Sequence, residues 1–362
     1  MEKLVGMFGN VYKNKRVLVT GHSGFKGSWL SLWLKNLGAS VFGISLPPDT
    51  CPNHFELLNL DIESYYFDIR DALKLRKKIA EINPDIIFHL AAQPLVRRSY
   101  SSPLETWETN VMGTANLLEA CRYLDKLSAV VIITTDKCYE NKEQREGYKE
   151  TDQLGGHDPY SASKAGSELV ASSYRKSFFN NPSDALIATA RAGNVIGGGD
   201  WSEDRLIPDL FRAMEKNHDL EIRSPTSTRP WQHILDCLSG YLALGKKLLD
   251  ENKDFADSWN FGPGLDGNKR VIDLLEEIKQ DLPSIRWRLS DLPHPHEANL
   301  LYLDCEKAIE KLEWKPVWSF NETVKNTSNW YKSWLKNQEV ISLLQIETYV
   351  KDAKNKKLKW TE

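Results

Sequence analysis

The sequence predicts an α/β fold, a doubly wound parallel sheet with a smaller, discontinuous C-terminal α/β lobe, and three observations predict it. Short β-branched runs alternate with helix-length amphipathic stretches through the first half, the pattern of a parallel sheet covered by helices. The first run leads directly into glycines at positions 21, 24 and 27, in a turn that opens a helix, which is the Rossmann-like arrangement. Beyond residue 192 the texture changes to "GNVIGGGDW", "RSPTSTRPWQH" and "SDLPHPHEA", irregular segments punctuated by Gly and Pro.

The elements follow in order. Strands are expected at "RVLVT" (16–20), "SVFGIS" (40–45), "YYFDI" (65–69), "DIIFHLA" (85–91), "AVVIITT" (129–135) and "ALIATAR" (185–191), each a short apolar run rich in β-branched or aromatic residues. Helices are expected at about 25–37, 71–82, 104–125 and 159–179. The fourth has a clear start, because Asp158 can cap the free N–H groups and Pro159 takes the first helical position, where no N–H is needed. "ILDCLSGYLALGKKLL" (about 234–249) reads as a further amphipathic helix that packs back on the first domain. The lysine-rich end "KDAKNKKLKWTE" reads as a solvated tail. The division is 1–192, joined by about 232–258, for the first domain, and 193–231 with 259–362 for the second lobe.

Composition excludes several classes. A chain of 362 residues with 41% hydrophobic content can bury a full core, and a net charge of −3 offers no basic field for nucleic acid. Five scattered cysteines without a CxxC pair point away from a disulfide framework or a metal site and toward a reducing, cytoplasmic setting. No run approaches the ~20 apolar residues needed to span a bilayer.

Gly21, Gly24 and Gly27 let the backbone turn tightly and approach a pyrophosphate while the following helix points its positive end at the phosphates. His22, Phe25 and Lys26 complete the loop. The second strand ends at Ser45, where an acid would ordinarily hold the adenosine ribose of NAD, and no arginine stands nearby for the 2′-phosphate of NADP. NAD is favoured, and Lys26 keeps NADP open. The bulk of His22 and the charge of Lys26 predict weak, exchangeable cofactor binding.

Tyr160 and Lys164 lie four apart on one helix and therefore on one face, where a close ammonium favours tyrosinate and draws the phenol toward the range of a base. The strand at 129–135 ends in Thr134, Thr135, Asp136 and Lys137, two hydroxyls, a carboxylate and an amine at the carboxyl end of a strand, where α/β folds bind ligands. Strict alternation would turn Asp136 away from Thr135 and Lys137, so the chain must start to turn at 136 for all three to face one substrate.

Through the glycine loop, "FDIRD" (67–71), "HLAAQ" (89–93), "TNVMGT" (109–114), the tyrosine–lysine pair and "RAGNVIG" (191–197), the chain resembles the extended short-chain dehydrogenase/reductase family over about 14–335. "TTDK", "RLIPD", "RPWQH", "NFGP" and "HPHEA" make it similar to the sugar-nucleotide 4,6-dehydratases, whose usual Thr-Asp-Glu has lysine here in third place. The resemblance implies NAD as cofactor, the first domain as its binding unit and the second lobe as the holder of a CDP-hexose. It implies Asp68 and Ile69 at the adenine, and Ala91, Ala92, Gln93 and Asn110 along the ribose and pyrophosphate edge. Asn194, Arg97, Arg205, Arg229, Asn260 and His296, with Gln93, are implied at the substrate.

The implied chemistry gives each strand-end residue a task. Oxidation at C4 acidifies C5. Tyr160 takes the O4 proton beside Thr135 and Lys164, Asp136 donates to the departing O6, and Lys137 removes the C5 proton. Burial moves Asp136 and Lys137 toward the protonation states this needs, whereas a tight ion pair between them would oppose it. Cytosine comes from the resemblance alone. The residues themselves do not separate it from thymine or uracil, so a dTDP-, UDP- or GDP-hexose dehydratase, a 4-epimerase or a catalytically silent NAD-sensing protein remain alternatives. Family members pair through the helix after the fourth strand and the Tyr160 helix, which implies at least a homodimer.

Overall fold

The computed structural model describes residues 4, 6–144, 146–290 and 300–362. The nucleotide half runs β1 (Arg16–Thr20), α1 (Phe25–Asn36), β2 (Ser40–Ser45), α2 (His54–Leu58), β3 (Glu63–Tyr66), α3 (Ala72–Ile82), β4 (Ile86–His89), α4 (Val96–Ser101), α5 (Pro103–Trp107), α6 (Gly113–Cys121), β5 (Ala129–Ile133), α7 (Pro159–Ser177) and β6 (Leu186–Ala192). The chain continues through β7 (Val195–Ile196), α8 (Leu206–Glu215), β8 (Leu220–Ile222), β9 (Thr228–Pro230), β10 (Gln232–His233), α9 (Ile234–Leu249) and β11 (Ser258–Phe261). It closes with β12 (Asn268–Arg270), α10 (Val271–Asp281), β13 (Trp287–Leu289), α11 (Glu306–Lys311), α12 (Phe320–Asn337) and α13 (Ser342–Asn355).

Seven parallel strands form the main sheet in the order β11-β6-β5-β4-β1-β2-β3. The order reverses between β1 and β4, so a crevice opens where those strands end. Both faces are apolar because both are covered. Val17, Val19, Phe88 and Val131 pack toward α1 and α9, while Leu18, Ile87, Val130 and Ile132 pack toward α3, α6 and α7. The predicted doubly wound sheet is thus present, with the smaller two-stranded pairings β10-β7, β12-β9 and β13-β8 outside it.

Several expectations need correction. The third strand spans 63–66 rather than 65–69, because Asp68 accepts from the backbone N–H of Arg70 and turns the chain out of the sheet. The helix expected over 104–125 is interrupted by a π-helical turn at Glu108–Met112, where the Asn110 carbonyl accepts from both the Thr114 and Ser167 hydroxyls. "SWNF" (258–261) supplies a seventh strand of the main sheet, although the sequence division placed residues from 259 onward in the second lobe. The lysine-rich end is not a solvated tail. Its first residues complete α13, and Leu358 and Trp360 are buried, with the Trp360 ring stacked 5.1 Å from Phe8 and 5.9 Å from Tyr349.

The glycines of "GGGD" serve packing as well as turning. A Cβ on Gly198 would lie 1.9 Å from the Trp330 ring, and Gly199 has φ +79°. This close approach brings α12 against the start of the second lobe. Among the described residues no helix is long and apolar enough to cross a membrane, no cluster of three His, Cys, Asp or Glu could hold a metal, and all five cysteines are free.

Candidate active site

Two adjoining cavities lie at the carboxyl ends of the strands. The larger, of about 580 Å3, is lined by Gly21, Gly24, Phe25 and Gly27, by Asp68 and Ile69, by Ala91, Ala92 and Gln93, and by Tyr160 and Lys164. The second, of about 300 Å3, is lined by Thr134, Thr135, Asp136, Lys137, Asn194, Arg97, Arg205 and Arg229. Tyr160, Lys26, Thr134, Asp200 and Arg205 line both, so the tyrosine sits at their junction.

The glycine loop has the form of a cradle. Gly21 has φ +73°, and a Cβ there would lie 2.7 Å from the Ala91 nitrogen; one on Gly27 would lie 2.1 Å from the Gly21 oxygen. Neither position admits a side chain. Gly24, by contrast, would meet only the Gly21 oxygen at 3.4 Å. Together with the N-terminus of α1, this backbone suits a dinucleotide pyrophosphate.

His22 does not obstruct that cradle, contrary to expectation. Its ring lies over Gly43, where a Cβ would fall 2.3 Å from it, and Nε2 pairs with Ser64 Oγ at 3.0 Å. Burial lowers its pKa to about 4, so it is a neutral, buried ring away from the cavity wall. Lys26 reaches toward the chemistry, with Nζ 5.9 Å from the Tyr241 ring centroid and its charge felt by both Asp136 and Lys164. That location does not suit the 2′-phosphate of NADP, which belongs near the end of β2.

At the end of β5 the chain turns at the residue alternation requires. Thr135 is extended and caps a 3₁₀ turn, Asp136–Cys138, by accepting from the Lys137 N–H at 3.3 Å. Thr135, Asp136 and Lys137 thereby line one cavity with Tyr160. Thr135 Oγ1 donates to Asp136 Oδ1 at 2.9 Å, and Asp136 Oδ2 is buried without a hydrogen-bond partner. No direct Asp136–Lys137 ion pair forms among the described residues. Burial pushes the Asp136 carboxyl above its ordinary value against the opposing charges of Lys137, Arg229 and Lys26.

Asp158 caps α7 through Ser161, as its sequence predicts, and fixes Tyr160 and Lys164 on the buried face. Their electrostatics differ from expectation. Burial pushes the Tyr160 phenol up to about 12 and outweighs the pull of Thr135 and Arg205. Lys164 donates to the Ile133 carbonyl at 3.1 Å, and burial, reinforced by Lys26, lowers it to about 8. The ammonium one turn away does not make the phenol acidic here, because desolvation is the larger effect.

Other residues are engaged elsewhere. The Gln93 amide donates to the Leu95 carbonyl and Thr106 Oγ1 and so holds its own loop. Asn110 accepts from the Gln93 N–H and donates to Ser163 Oγ, behind the cavity wall. Asn260 donates to the Tyr148 and Asp304 carbonyls and accepts from Tyr139, so its role is to tie β11 to its neighbours. For both Asn110 and Asn260 the two amide donors are already met by protein, and each amide oxygen accepts one protein hydrogen bond. His296 lies outside the described residues.

Sequence reasoning missed Arg70, Asp200 and Arg223. Arg70 lines the larger cavity, paired with Asp68 at 2.6 Å, and Asp200 stands between the cavities, 3.3 Å from Arg205. Arg223 lines the smaller cavity and shares Asp204 with Arg97. Arg70 was legible within "FDIRD"; Arg223 sits in no recognisable pattern.

Comparison with known proteins places this site in a family. The family model described as GDP-mannose 4,6 dehydratase matches residues 18–327. CDP-glucose 4,6-dehydratase of Salmonella typhimurium is 49% identical over 341 residues, covering 92% of this chain and 94% of the relative. UDP-glucose 4-epimerase of Mycoplasma genitalium is 27% identical, covering 88% and 96%. The solved dTDP-glucose 4,6-dehydratase of Streptomyces venezuelae, with NAD and TYD bound, has a TM-score of 0.74 at 26% identity, covering 88% of this chain and 97% of that one. An epimerase of Methanothermobacter thermautotrophicus, with a TM-score of 0.79 at 23% identity over 92% and 97%, shares the fold. By motif, by fold and by these matches, the chain belongs to the GDP-mannose 4,6 dehydratase family, a sugar-nucleotide branch of the extended short-chain dehydrogenase/reductase proteins.

Proposed function

We propose that this protein is a hydro-lyase that converts CDP-D-glucose to CDP-4-dehydro-6-deoxy-D-glucose with NAD, a step of deoxysugar biosynthesis. The observation that carries the reading is the turn Thr135–Asp136–Lys137, which lines one cavity with Tyr160 and offers a buried, unpartnered carboxyl oxygen. The cytidine half of the substrate rests on the 49% identical relative. When bound, NAD would supply the two-electron oxidation at C4 and, in its reduced form, the hydride that C6 receives. Its cradle is the loop of Gly21, Gly24 and Gly27, with Asp68 and Ile69 at the adenine end and Lys164 at the nicotinamide ribose.

Tyr160 accepts the O4 proton in its phenolate form, a strong base once ionised because burial holds its pKa at about 12, and Thr135 holds O4 by a hydrogen bond. The 4-ketone acidifies C5. Lys137 takes the C5 proton, the electrons of that C–H bond form a C5–C6 double bond as O6 leaves, and the Lys137 ammonium gives a proton back to C5 when C6 is reduced. Asp136, its carboxyl pushed above its ordinary value by burial, donates from Oδ2 in its protonated form so that O6 departs as water. The diphosphate is held by Arg97, Arg205, Arg229 and Arg223, with Asn194 on the sugar side.

The protein acts in this reading as a cytoplasmic homodimer. Leu104, Trp107, Met112 and Leu169 are 76%, 41%, 54% and 60% exposed along α5, the π turn and α7, an apolar face that suits a second copy. Analytical ultracentrifugation of Leu169→Asp against the wild type tests this, with dissociation expected.

Incubation with CDP-, dTDP-, UDP- and GDP-hexoses plus NAD, followed by mass spectrometry, tests the reaction. Loss of one water from CDP-glucose is expected. An unchanged mass with altered stereochemistry would mean epimerisation, and untouched substrates throughout would mean a silent NAD-binding protein.

A further inference from the structure

Glu168 belongs to none of the groups used so far, yet it is buried one turn beyond Lys164 on α7. Its Oε1 accepts from Thr134 Oγ1 at 2.5 Å, and its Oε2 accepts from Thr189 Oγ1 at 2.7 Å, Arg191 Nη2 at 2.8 Å and Ser258 Oγ at 3.3 Å. One carboxylate therefore joins the helix of Tyr160 and Lys164 to the end of β5, to β6 and to the start of β11. Arg191, through Nη1, donates to the Tyr139 hydroxyl at 2.7 Å, and Tyr139 donates to Asn260 at 2.7 Å. Thr134 is the residue before the Thr135–Asp136–Lys137 turn, and Tyr139 is the residue that closes it.

We propose that the buried Glu168–Arg191 pair is a positioning device for the reaction: Glu168 fixes the entry to the catalytic turn, Arg191 fixes its exit, and Glu168 gives Lys164 its counter-charge. The proposal rests on the dehydratase reading for the roles of the turn. Stability alone does not account for the pair, since a buried ion pair is often matched or bettered by apolar residues of similar volume, whereas it fixes geometry at both partners. The charges support the third part. The groups that act on Lys164 are Lys26 from the glycine loop, Cys138 from the turn, His89 from β4 and Glu168 from its own helix, while Arg191 from β6 and Arg175 from α7 act on Glu168. Of these Glu168 is the carboxylate that opposes the loss of the Lys164 proton; burial pushes its own carboxyl up, but Arg191 with the Thr134 and Thr189 hydroxyls draws it below its ordinary value.

The test uses Glu168→Gln and Tyr139→Phe in the full chain. With lysine labelled at 13Cε and the Lys164 signal assigned from Lys164→Arg, NMR titration of the wild type and Glu168→Gln reads the lysine directly, without turnover. The midpoint is expected to fall by about one pH unit or more, a tenfold fall in the ammonium-to-amine ratio at a given pH. An unchanged midpoint overturns the counter-charge. Tyr139→Phe removes a hydroxyl outside both cavities, so kcat is expected to fall about tenfold with KM within about threefold, and wild-type kcat in that variant overturns the clamp even where Glu168→Gln does not fold. If the wild type dehydrates no sugar nucleotide, the dehydratase reading fails in the kinetic arm, while the Lys164 titration still decides the counter-charge.

Discussion

Asp136 Oδ2 lies 3.0 Å from where a Cβ on Gly193 would stand, and Thr135 holds the other oxygen of the same carboxyl at 2.9 Å. The carboxyl is thus orientated, with one oxygen restrained and the other open. Asp136→Asn keeps the shape and removes the transferable proton. We expect kcat to fall by about a hundredfold or more, the scale of a lost general acid. Because burial raises the pKa, wild-type activity should decline as pH rises through that raised value, and the variant should lose that decline. A pH profile of kcat for both proteins checks it, and an unchanged rate in the variant removes Asp136 from the mechanism.

Lys137 divides the reaction at its middle. Lys137→Ala leaves Tyr160, Thr135 and Lys164 in place, so oxidation at C4 should proceed and the near-ultraviolet absorbance of reduced nicotinamide should build up on the enzyme. Release of the 6-deoxy ketosugar should drop by at least about a hundredfold. Solvent-deuterium exchange at C5, read by mass spectrometry, should be lost as well. Full turnover would refute its role as base.

Much of this architecture was legible because local and global signals agreed. The 234–249 helix, the first two strands and the Asp158–Pro159 start stand where the periodicity and capping chemistry put them. The misses share a physical cause. Where Asn110 and Asn260 lie, a family pattern gives a polar residue but cannot say which buried groups will compete for its amide, and protein groups won both times. The Tyr160–Lys164 spacing gives proximity, while the protonation balance depends on burial, which no spacing encodes. Trp360 was hidden by the lysines around it, although an indole so placed stacks on Phe8 and Tyr349.

Asp204 links the two sides of the substrate cavity. Its Oδ1 accepts from Arg97 Nη1 at 2.7 Å and from Arg223 Nη2 at 2.9 Å, so it occupies two of the cations assigned to the diphosphate. Removing that competitor should strengthen nucleotide binding. The pairs are partly exposed and worth roughly 1 kcal/mol or less, so a gain of up to about fivefold is expected. Asp204 has φ +55°, a conformation asparagine tolerates, which makes Asp204→Asn the suitable variant. Calorimetric titration with CDP checks it. Weaker binding in the variant would mean that the carboxylate positions the arginines rather than competing for them.

The C-terminal helices are fastened to the sheet through a carboxyl that titrates within the working range. Asp236 on α9 accepts from the Val317 N–H at 2.6 Å and from the Tyr349 hydroxyl at 2.7 Å, and burial raises its pKa to about 7. In the unfolded chain the same group loses its proton near 3.8. Between those values the folded state holds a proton that the unfolded state has released, so stability falls as pH rises across the window, by as much as about 4 kcal/mol from this group alone. Asp236→Asn keeps an acceptor for both donors and carries no charge at any pH. Urea unfolding should therefore give similar stabilities for the two proteins below the unfolded value of 3.8 and a more stable variant near pH 8. An equal loss of stability in both proteins between those pH values would show that other groups carry the dependence.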